Sequence, residues 1–307
     1  MKKYVFGIDV GGTSIKIGLF SLYGDLVETW SIRTNKKNSG GHIVHDIYMS
    51  IKKKGINFDE VLGYGFGVPG PVVDGIVVEC VNLGWKNFDL KESFLSFVQS
   101  GLIYVENDAN VATLGETWKG AGKAYENCAM ITLGTGVGGG VVSNSRIVDG
   151  GFGAAGEIGH LKVDLSNLAP CNCGGKGCLE TVASATGIKR LYKQYMEESG
   201  VDMSKVKPSA KRVMDIAKDG DPVAMKTMED VFYYLGYACH VLSIVTNPDV
   251  IIFGGGVSKA GEYLTSNVYR YFTKFLFNPV KDTRLVLAEL GNEAGMYGAA
   301  WLVVNNG

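Results

Sequence analysis

The chain of 307 residues has 46% hydrophobic and 20% charged residues and a formal net charge of -1. This balance excludes an intrinsically disordered chain, and we expect neither a nucleic-acid-binding nor a membrane-binding surface. The sequence contains no apolar run near the roughly 20 residues of a membrane-spanning helix, and glycines interrupt any signal-peptide core at the start. We therefore expect a cytoplasmic protein whose six cysteines are mostly reduced.

Two glycine hairpins of similar layout occur in the first half of the chain. Residues 4–9 and 15–20 are predicted strands around a Gly/Thr loop, and residues 129–142 repeat this strand, loop and strand order. The repeat indicates two duplicated halves, each presenting a glycine hairpin to one central cleft.

The remaining elements alternate between strands and helices. "YGFGVPG" and "LIYVEND" predict short buried strands, and "ANVATLGETWKGAG" predicts a helix that ends at glycine. "TVASATGIKRLYKQYMEES" predicts one helix, whereas residues 209–246 predict two, with Asp221 capping the second and Pro222 in its first turn. "PDVIIFGGGVS" predicts a strand, a glycine turn and a further helix. The alternation predicts an α/β fold with a largely buried sheet.

Three glycine turns follow apolar strands: Gly11–Thr13, Gly134–Gly136 and Gly254–Gly256. Any one of them is explained by a tight turn alone, but together they favour backbone binding of a polyphosphate nucleotide. None matches a P-loop or a dinucleotide-binding fingerprint. Asp9 precedes the first turn, where a carboxylate can orient hydrated Mg²⁺. Lys16 either reaches phosphate or is a solvated lysine at a strand edge, and its role stays open.

An acidic segment, Glu106-Asn107-Asp108, ends a predicted buried strand. Ligands bind at the carboxyl ends of strands in open α/β sheets. Capping of the next helix by Asn107 or Asp108 is the simpler interpretation of this stretch alone. A kinase, however, needs a base near its acceptor hydroxyl, which makes Asp108 a candidate.

His160, Cys171, Cys173 and Cys178 have the residue types and short spacing of a closed, tetrahedral structural Zn²⁺ site. The spacing Cys-x-Cys differs from the Cys-x-x-Cys of redox motifs, which makes redox chemistry the weaker interpretation. Glu157 and Glu180 flank these ligands, either as surface residues or as carboxylates that accept hydrogen bonds from a polyol.

The motifs "GIDVGGTSIK", "GVPGPV", "VENDAN", "LGTGVGGG", "GEIGH", "CNCGGKGCLE" and "PDVIIFGGGV" resemble, in this order, those of the ROK family of repressors, open reading frames and sugar kinases. Within that family the chain is most similar to the zinc-containing bacterial glucokinases. The resemblance implies an actin-like ATPase (ribonuclease H-like) duplicated α/β fold, with two lobes around a central cleft, in a homodimer or possibly a tetramer. We place the smaller lobe at residues 1–117, completed by a C-terminal helix at about 291–307, and the larger lobe at 118–290.

The resemblance also implies residue roles. Asp108 is the expected general base, and His160 is expected to bind both the sugar and zinc. The expected sugar-binding residues are Gly70, Asn82, Asn107, Asp108, Glu157, His160 and Glu180. The expected zinc ligands are His160, Cys171, Cys173 and Cys178. The expected MgATP-binding residues are Asp9, Gly11, Gly12, Thr13, Thr135, Gly136, Gly254, Gly255 and Gly256.

The sequence thus predicts an ATP-dependent hexose kinase that converts glucose to glucose 6-phosphate, with Mg²⁺ and a structural Zn²⁺. An N-acetylmannosamine kinase or another aldohexose kinase of the family is the alternative. A sugar-sensing regulator without turnover is less favoured, since Asp108 is present and no DNA-binding segment is expected before residue 7. A zinc-structured scaffold without a ligand would leave the three glycine turns unexplained.

Overall fold

The computed structural model describes residues 1–164, 168–203 and 207–307. The strands are β1 Tyr4–Val10, β2 Ser14–Ser21, β3 Leu26–Arg33, β4 Val61–Val68, β5 Val72–Val73, β6 Ile76–Cys80, β7 Trp85–Asp89, β8 Leu102–Asn107, β9 Cys128–Leu133, β10 Val137–Ser143, β11 Arg146–Ile147, β12 Val250–Gly254 and β13 Arg284–Leu287. The helices are α1 Lys37–Gly40, α2 Ile43–Lys52, α3 Leu90–Val98, α4 Asp108–Lys119, α5 Glu180–Ala183, α6 Ala185–Glu198, α7 Ala210–Lys218, α8 Pro222–Thr246, α9 Gly255–Ser258, α10 Glu262–Phe275 and α11 Ala294–Asn306. Single 3-10 turns occur at Phe58–Glu60, Ile158–His160, Asn278–Val280 and Gly291–Glu293.

The chain divides into two compact units. Unit 1 comprises Met1–Ala124, Arg146–Ala155 and Glu289–Gly307, and unit 2 comprises Tyr125–Ser145 and Gly156–Ala288. The sequence-based boundary at 117/118 falls inside helix α4, which the structure keeps whole within unit 1. The sequence analysis also did not anticipate that residues 146–155 return to unit 1.

Unit 1 is built on a sheet of order β3-β2-β1-β4-β8, in which β1, β4 and β8 are parallel and β2 and β3 are antiparallel to their neighbours. Helix α11 packs against this sheet at glycines. A Cβ at Gly7 would lie 2.0 Å from the carbonyl oxygen of Met296, and one at Gly65 would lie 1.7 Å from that of Ala299. Only glycine permits this close approach, so the C-terminal helix completes the core of unit 1.

Unit 2 repeats the central strand order. Strands β10, β9, β12 and β13 are neighbours in that order, with β10 antiparallel to β9 and with β12 and β13 parallel to it. This is the order of β2, β1, β4 and β8 in unit 1. The two predicted glycine hairpins are therefore confirmed, at equivalent places in the two sheets, and the duplicated actin-like α/β fold is confirmed with them.

In unit 2, the predicted start of helix α8 is confirmed, whereas one other predicted helix is wrong. Asp221 accepts a hydrogen bond from the Ala224 N–H, and Pro222 is the first residue of α8, as predicted. The single helix expected around residues 181–199 is wrong, because it is interrupted at Ser184. Ser184 is extended (φ -72°, ψ 163°), and its hydroxyl accepts the Gly187 N–H, which ends α5 and caps α6. None of the described helices is both long enough and apolar enough to span a membrane.

Candidate functional site

The junction of β8 and α4 in unit 1 carries the predicted base. Asn107 caps α4: its side-chain oxygen accepts the N–H groups of Ala109 and Asn110, at 2.8 and 3.3 Å. Its amide nitrogen donates to the carbonyl of Gly70 at 3.0 Å. Asp108 is the exposed first residue of α4 and accepts the Ala109 N–H at 2.8 Å. The helix therefore presents this carboxylate at its positive end, where a negative charge is stabilised.

The carboxyl group of Glu106 supports this junction from the preceding position. It accepts the Asn107 N–H at 2.6 Å and the side-chain amide of Asn110 at 3.0 Å. It also shares a hydrogen bond with the carboxyl group of Asp149, which lies in the returning segment of unit 1. Burial, together with the neighbouring Asp149, raises the pKa of Glu106 to about 7. Glu106 and Asp149 are far apart in the sequence, so that no local pattern predicts this pair.

Two further predicted sugar-binding residues of unit 1 lie on loops. Gly70 has a positive φ of 100°, and a Cβ there would lie 2.3 Å from the Glu79 carbonyl oxygen, so glycine is needed to bring its own carbonyl to Asn107. Asn82 is exposed in the turn after β6, and its Cβ lies 3.9 Å from the position that a Cβ at Gly12 would occupy. Asn82 thus borders the first glycine hairpin.

Asp9 lies at the end of β1, immediately before the Gly11–Thr13 loop. Burial raises the pKa of its carboxyl group, and the ammonium of Lys16, 3.7 Å away, opposes that rise. Lys16 also donates to the carbonyl of Asn292 at 2.5 Å. Lys16 is therefore not a freely solvated strand-edge lysine. A partly buried carboxylate with one cation nearby gains from a second cation, which fits the Mg²⁺ role that the sequence predicts for Asp9.

The predicted nucleotide-binding glycines of unit 2 lie after two adjacent parallel strands. Thr135 and Gly136 follow β9, and Gly254–Gly256 end β12 and begin α9. Gly254 pairs with Thr132 of β9, and Gly255 (φ 85°) lies so close to Leu133 that a Cβ would be 2.5 Å from its carbonyl oxygen. The two turns therefore lie side by side at the carboxyl ends of these strands, where backbone N–H groups are available to phosphates.

The four predicted metal ligands come together in unit 2. The ligand atoms of His160, Cys171, Cys173 and Cys178 all lie within 4.8 Å of one another. The sulfur atoms of Cys173 and Cys178 are 3.7 Å apart, and the Cys171 sulfur is 3.7 Å from His160 Nδ1. A tetrahedral zinc ion with bonds of about 2.3 Å places its sulfur ligands roughly 3.8 Å apart. The residues therefore fit Zn²⁺ in both donor type and spacing.

Charged side chains surround this cluster. The carboxylate of Glu157 lies 3.9 Å from His160 Nε2, the imidazole nitrogen opposite to the one that faces Cys171. Glu180 accepts the Val137 N–H at 3.0 Å, and its other oxygen lies 3.7 Å from the Cys171 sulfur. The ammonium of Lys162, which the sequence analysis did not single out, donates to the Cys178 sulfur at 2.9 Å. One network thus joins the metal ligands to the second glycine hairpin.

The predicted site residues divide between the units. Unit 1 contains Asp9, Gly11, Gly12, Thr13, Gly70, Asn82, Asn107 and Asp108. Unit 2 contains Thr135, Gly136, Glu157, His160, Cys171, Cys173, Cys178, Glu180, Gly254, Gly255 and Gly256. Within each unit, local contacts link predicted residues to one another: Gly70 with Asn107, Gly12 with Asn82, and Glu180 with Cys171.

Comparison with known proteins places this architecture in a family. The profile of the ROK family matches residues 5–306, and the chain belongs to that family. This ROK protein therefore contains two sheets of equivalent strand order, a carboxylate at the start of the helix after β8, and a Cys/His cluster.

Individual relatives of the chain include glucokinases and a hexokinase. A glucokinase of Halalkalibacterium halodurans is 41% identical, over 98% of this chain and 95% of that protein. The crystal structure of a ROK family glucokinase from Streptomyces griseus, in complex with glucose and AMPPNP, has a TM-score of 0.76 and 31% identity, covering 97% of this chain and 98% of that one. A ROK hexokinase from Thermus thermophilus has a TM-score of 0.84 and 28% identity, covering 99% and 100%.

Proposed function

We propose that this protein is an ATP-dependent glucokinase, which transfers the terminal phosphoryl group of ATP to the 6-hydroxyl of glucose. The observation that carries the proposal is the exposed carboxylate of Asp108 at the start of α4, beside an Asn107 whose amide is held by both the helix and Gly70. Similarity to glucokinases over nearly the whole chain supports the same reaction.

Asp108 accepts the proton of the sugar hydroxyl as that oxygen attacks the terminal phosphorus atom. The bond from this phosphorus to the bridging oxygen then breaks, and ADP leaves with the bonding electrons. Asp9 would hold Mg²⁺, which would neutralise charge on the phosphates. The glycine turns Gly11–Thr13, Thr135–Gly136 and Gly254–Gly256 bind the nucleotide through backbone N–H groups.

Asn107, Glu157, His160 and Glu180 bind the sugar hydroxyls, with Gly70 and Asn82 nearby. The residues that would hold a structural Zn²⁺ ion are His160, Cys171, Cys173 and Cys178, and the ion would fix the loop that presents Glu157 and Glu180. The Nδ1 atom of His160 faces the Cys171 sulfur and its Nε2 atom faces Glu157, so one ring nitrogen is available to the metal and the other to the sugar, which supports the double role of this residue. We retain the homodimer and the cytoplasmic location as parts of this proposal.

A coupled assay with MgATP and glucose, mannose, N-acetylglucosamine, N-acetylmannosamine and fructose tests the substrate. We expect the highest kcat/KM for glucose. A higher value for N-acetylmannosamine would replace glucose by the alternative substrate while keeping the kinase reaction. Absence of turnover with every sugar, in protein that still binds one of them, would favour a sugar-sensing regulator.

The Asp108→Asn variant tests the base. We expect kcat to fall by a factor of at least about 10² to 10⁴, because general-base catalysis contributes on this order. Glucose binding, measured by calorimetry, should change little, since the amide keeps the shape and hydrogen-bonding capacity of the side chain. Turnover close to wild type would show that another group takes the proton.

A further inference from the structure

A basic pocket in unit 1 adjoins the first glycine hairpin, and its cationic side chains have no role in the function described so far. Its volume is about 920 Å³. Its lining residues are Gly12, Thr13, Arg33, Thr34, Asn35, Lys36, Lys37 and Asp46. Three cationic side chains thus face one carboxylate, and that carboxylate already accepts a hydrogen bond from Asn35 at 3.3 Å. The net positive charge favours an anionic ligand.

The backbone that carries Lys36 is fixed to the hairpin. The Thr34 N–H donates to the carbonyl of Thr13 at 3.0 Å, and the Thr34 hydroxyl donates to that of Gly11 at 2.6 Å. Thr34 is buried, so both bonds are shielded from water. These two bonds fasten the start of the segment after β3 to the glycine loop, which gives Lys36 a defined place beside it.

The ammonium of Lys36 lies over the bare backbone of Gly12. Its nitrogen is 3.5 Å from the position that a Cβ at Gly12 would occupy, and the Cβ of Asn82 is 3.9 Å from the same point. Among the described residues, no carboxylate forms a salt bridge with Lys36. Its charge is therefore available to a ligand held against the glycine loop.

Lys36 also lies in the electrostatic neighbourhood of the proposed base. Burial raises the pKa of the Cys80 thiol, and hydrogen bonds from the backbone N–H groups of Leu83 and Asn82 oppose this rise. The negative charge of Asp108 raises the same pKa further, whereas the positive charge of Lys36 lowers it. Asp108 and Lys36 thus act on one sulfur atom from within unit 1. Phosphoryl transfer needs both a cation, for charge neutralisation, and a base, for proton acceptance, and unit 1 carries a candidate for each.

We propose that Lys36 is a further catalytic residue, whose ammonium contacts the phosphoryl group in transfer above Gly12, within a pocket that Arg33 and Lys37 keep positive. The proposal rests on the proposed kinase function. The ligand chemistry is a phosphoryl group, which belongs to the donor before transfer and to the sugar phosphate after it. A preformed cation that meets developing negative charge lowers the barrier without reorganisation.

Steady-state kinetics of Lys36→Met and Lys36→Arg test the proposal. We expect Lys36→Met to lower kcat by about 10² to 10³, the scale of removing one preorganised charge-stabilising group. Lys36→Arg should recover much of the loss, because it keeps the cation. Glucose affinity and Tm should stay near wild type in both. The control is Lys91→Met, which removes an exposed lysine on α3 of the same unit and should leave kcat unchanged.

Binding measurements decide the proposal independently of turnover. Calorimetry with inorganic tripolyphosphate and, in a separate arm, with glucose 6-phosphate should show weaker binding to Lys36→Met than to wild type and Lys91→Met, by about tenfold or more. A loss with tripolyphosphate alone assigns the contact to the donor, and a loss with glucose 6-phosphate alone assigns it to the product. Unchanged binding of both anions would overturn the proposal, as would a wild-type kcat in Lys36→Met. If wild type binds these anions through Lys36 but phosphorylates no sugar, the proposed function fails and the phosphate contact stands.

Discussion

Units 1 and 2 share a strand order but hold their functional loops in different ways. Unit 1 uses carboxyl and amide side chains: Asn107 caps α4, and Glu106 and Glu116 accept backbone N–H groups at the two ends of that helix. Unit 2 instead gathers three cysteines and a histidine around the loop that carries Glu157 and Glu180. The comparison shows that one α/β scaffold accommodates two kinds of support, side-chain hydrogen bonds to the backbone and a cluster of cysteine and histidine side chains.

The largest difference between the units should appear on metal removal. Chelation, or Cys173→Ser, should destabilise unit 2 and weaken glucose binding together, since binding of structural zinc contributes on the order of 10 kcal/mol to small zinc domains. Thermal unfolding, calorimetry and metal analysis of the same samples provide the measurement. Added Zn²⁺ should restore the chelated wild type but not the variant. Purified protein without zinc, yet with full stability, would contradict the structural role.

Unit 1 should respond most strongly to loss of Glu116, which is fully buried on α4. Its carboxylate accepts the N–H groups of Ala121, Glu289 and Leu290, at 3.0, 3.0 and 2.8 Å. It therefore joins the place where the chain leaves unit 1 to the place where it returns.

Glu116→Ala removes the acceptor of these three part-buried hydrogen bonds, and one hydrogen bond contributes about 0.5–1.5 kcal/mol net, or about 1.5–3 kcal/mol when one partner is charged. We expect a loss of roughly 3–6 kcal/mol in the free energy of unfolding, measured by urea denaturation. Glu116→Gln keeps one acceptor oxygen and should lose less. Equal losses in the two variants would contradict this expectation, because Gln keeps the side-chain volume and one acceptor oxygen that Ala removes.

The smallest expected effect is the contribution of the Glu106–Asp149 pair to the pH dependence of the unfolding free energy. The pKa of Glu106 is raised from 4.5 to about 7 in the folded protein, mainly by burial. A carboxyl group with a raised folded-state pKa stabilises the fold fully below its unfolded pKa, and this contribution is lost as pH rises through the folded value. Between about pH 4.5 and 7, wild type should therefore lose on the order of 1–3 kcal/mol that Glu106→Gln does not lose.

Urea denaturation of wild type and Glu106→Gln across this pH range checks the prediction. The amide of the variant can still accept the Asn107 N–H, and it can donate to Asp149 at every pH. The difference in unfolding free energy between the two proteins should thus change with pH and level off above about pH 7. A difference that stays constant would mean that folding does not raise the pKa of Glu106.

Sequence patterns predicted the features that depend on near neighbours. The glycine hairpins, the cap at Asp221 and the Cys/His cluster all follow from residues close together in the chain, and the structure contains each of them. The break at Ser184 was missed, because the helical pattern continues through it and only the side-chain bond to Gly187 reveals the cap.

The sequence by itself determined the duplicated α/β order, the four members of the Cys/His cluster and the position of Asp108 at a strand end, because each depends on local periodicity or spacing. Only the tertiary structure decided that Glu106 meets Asp149, that Glu116 meets Glu289 and Leu290, and that Lys36 lies over Gly12. Glu106 and Glu116 meet partners far away in the chain, and Lys36 reaches Gly12 only because β3 pairs with β2 and returns beside the hairpin. Packing of strands and helices, rather than residue spacing, sets such contacts.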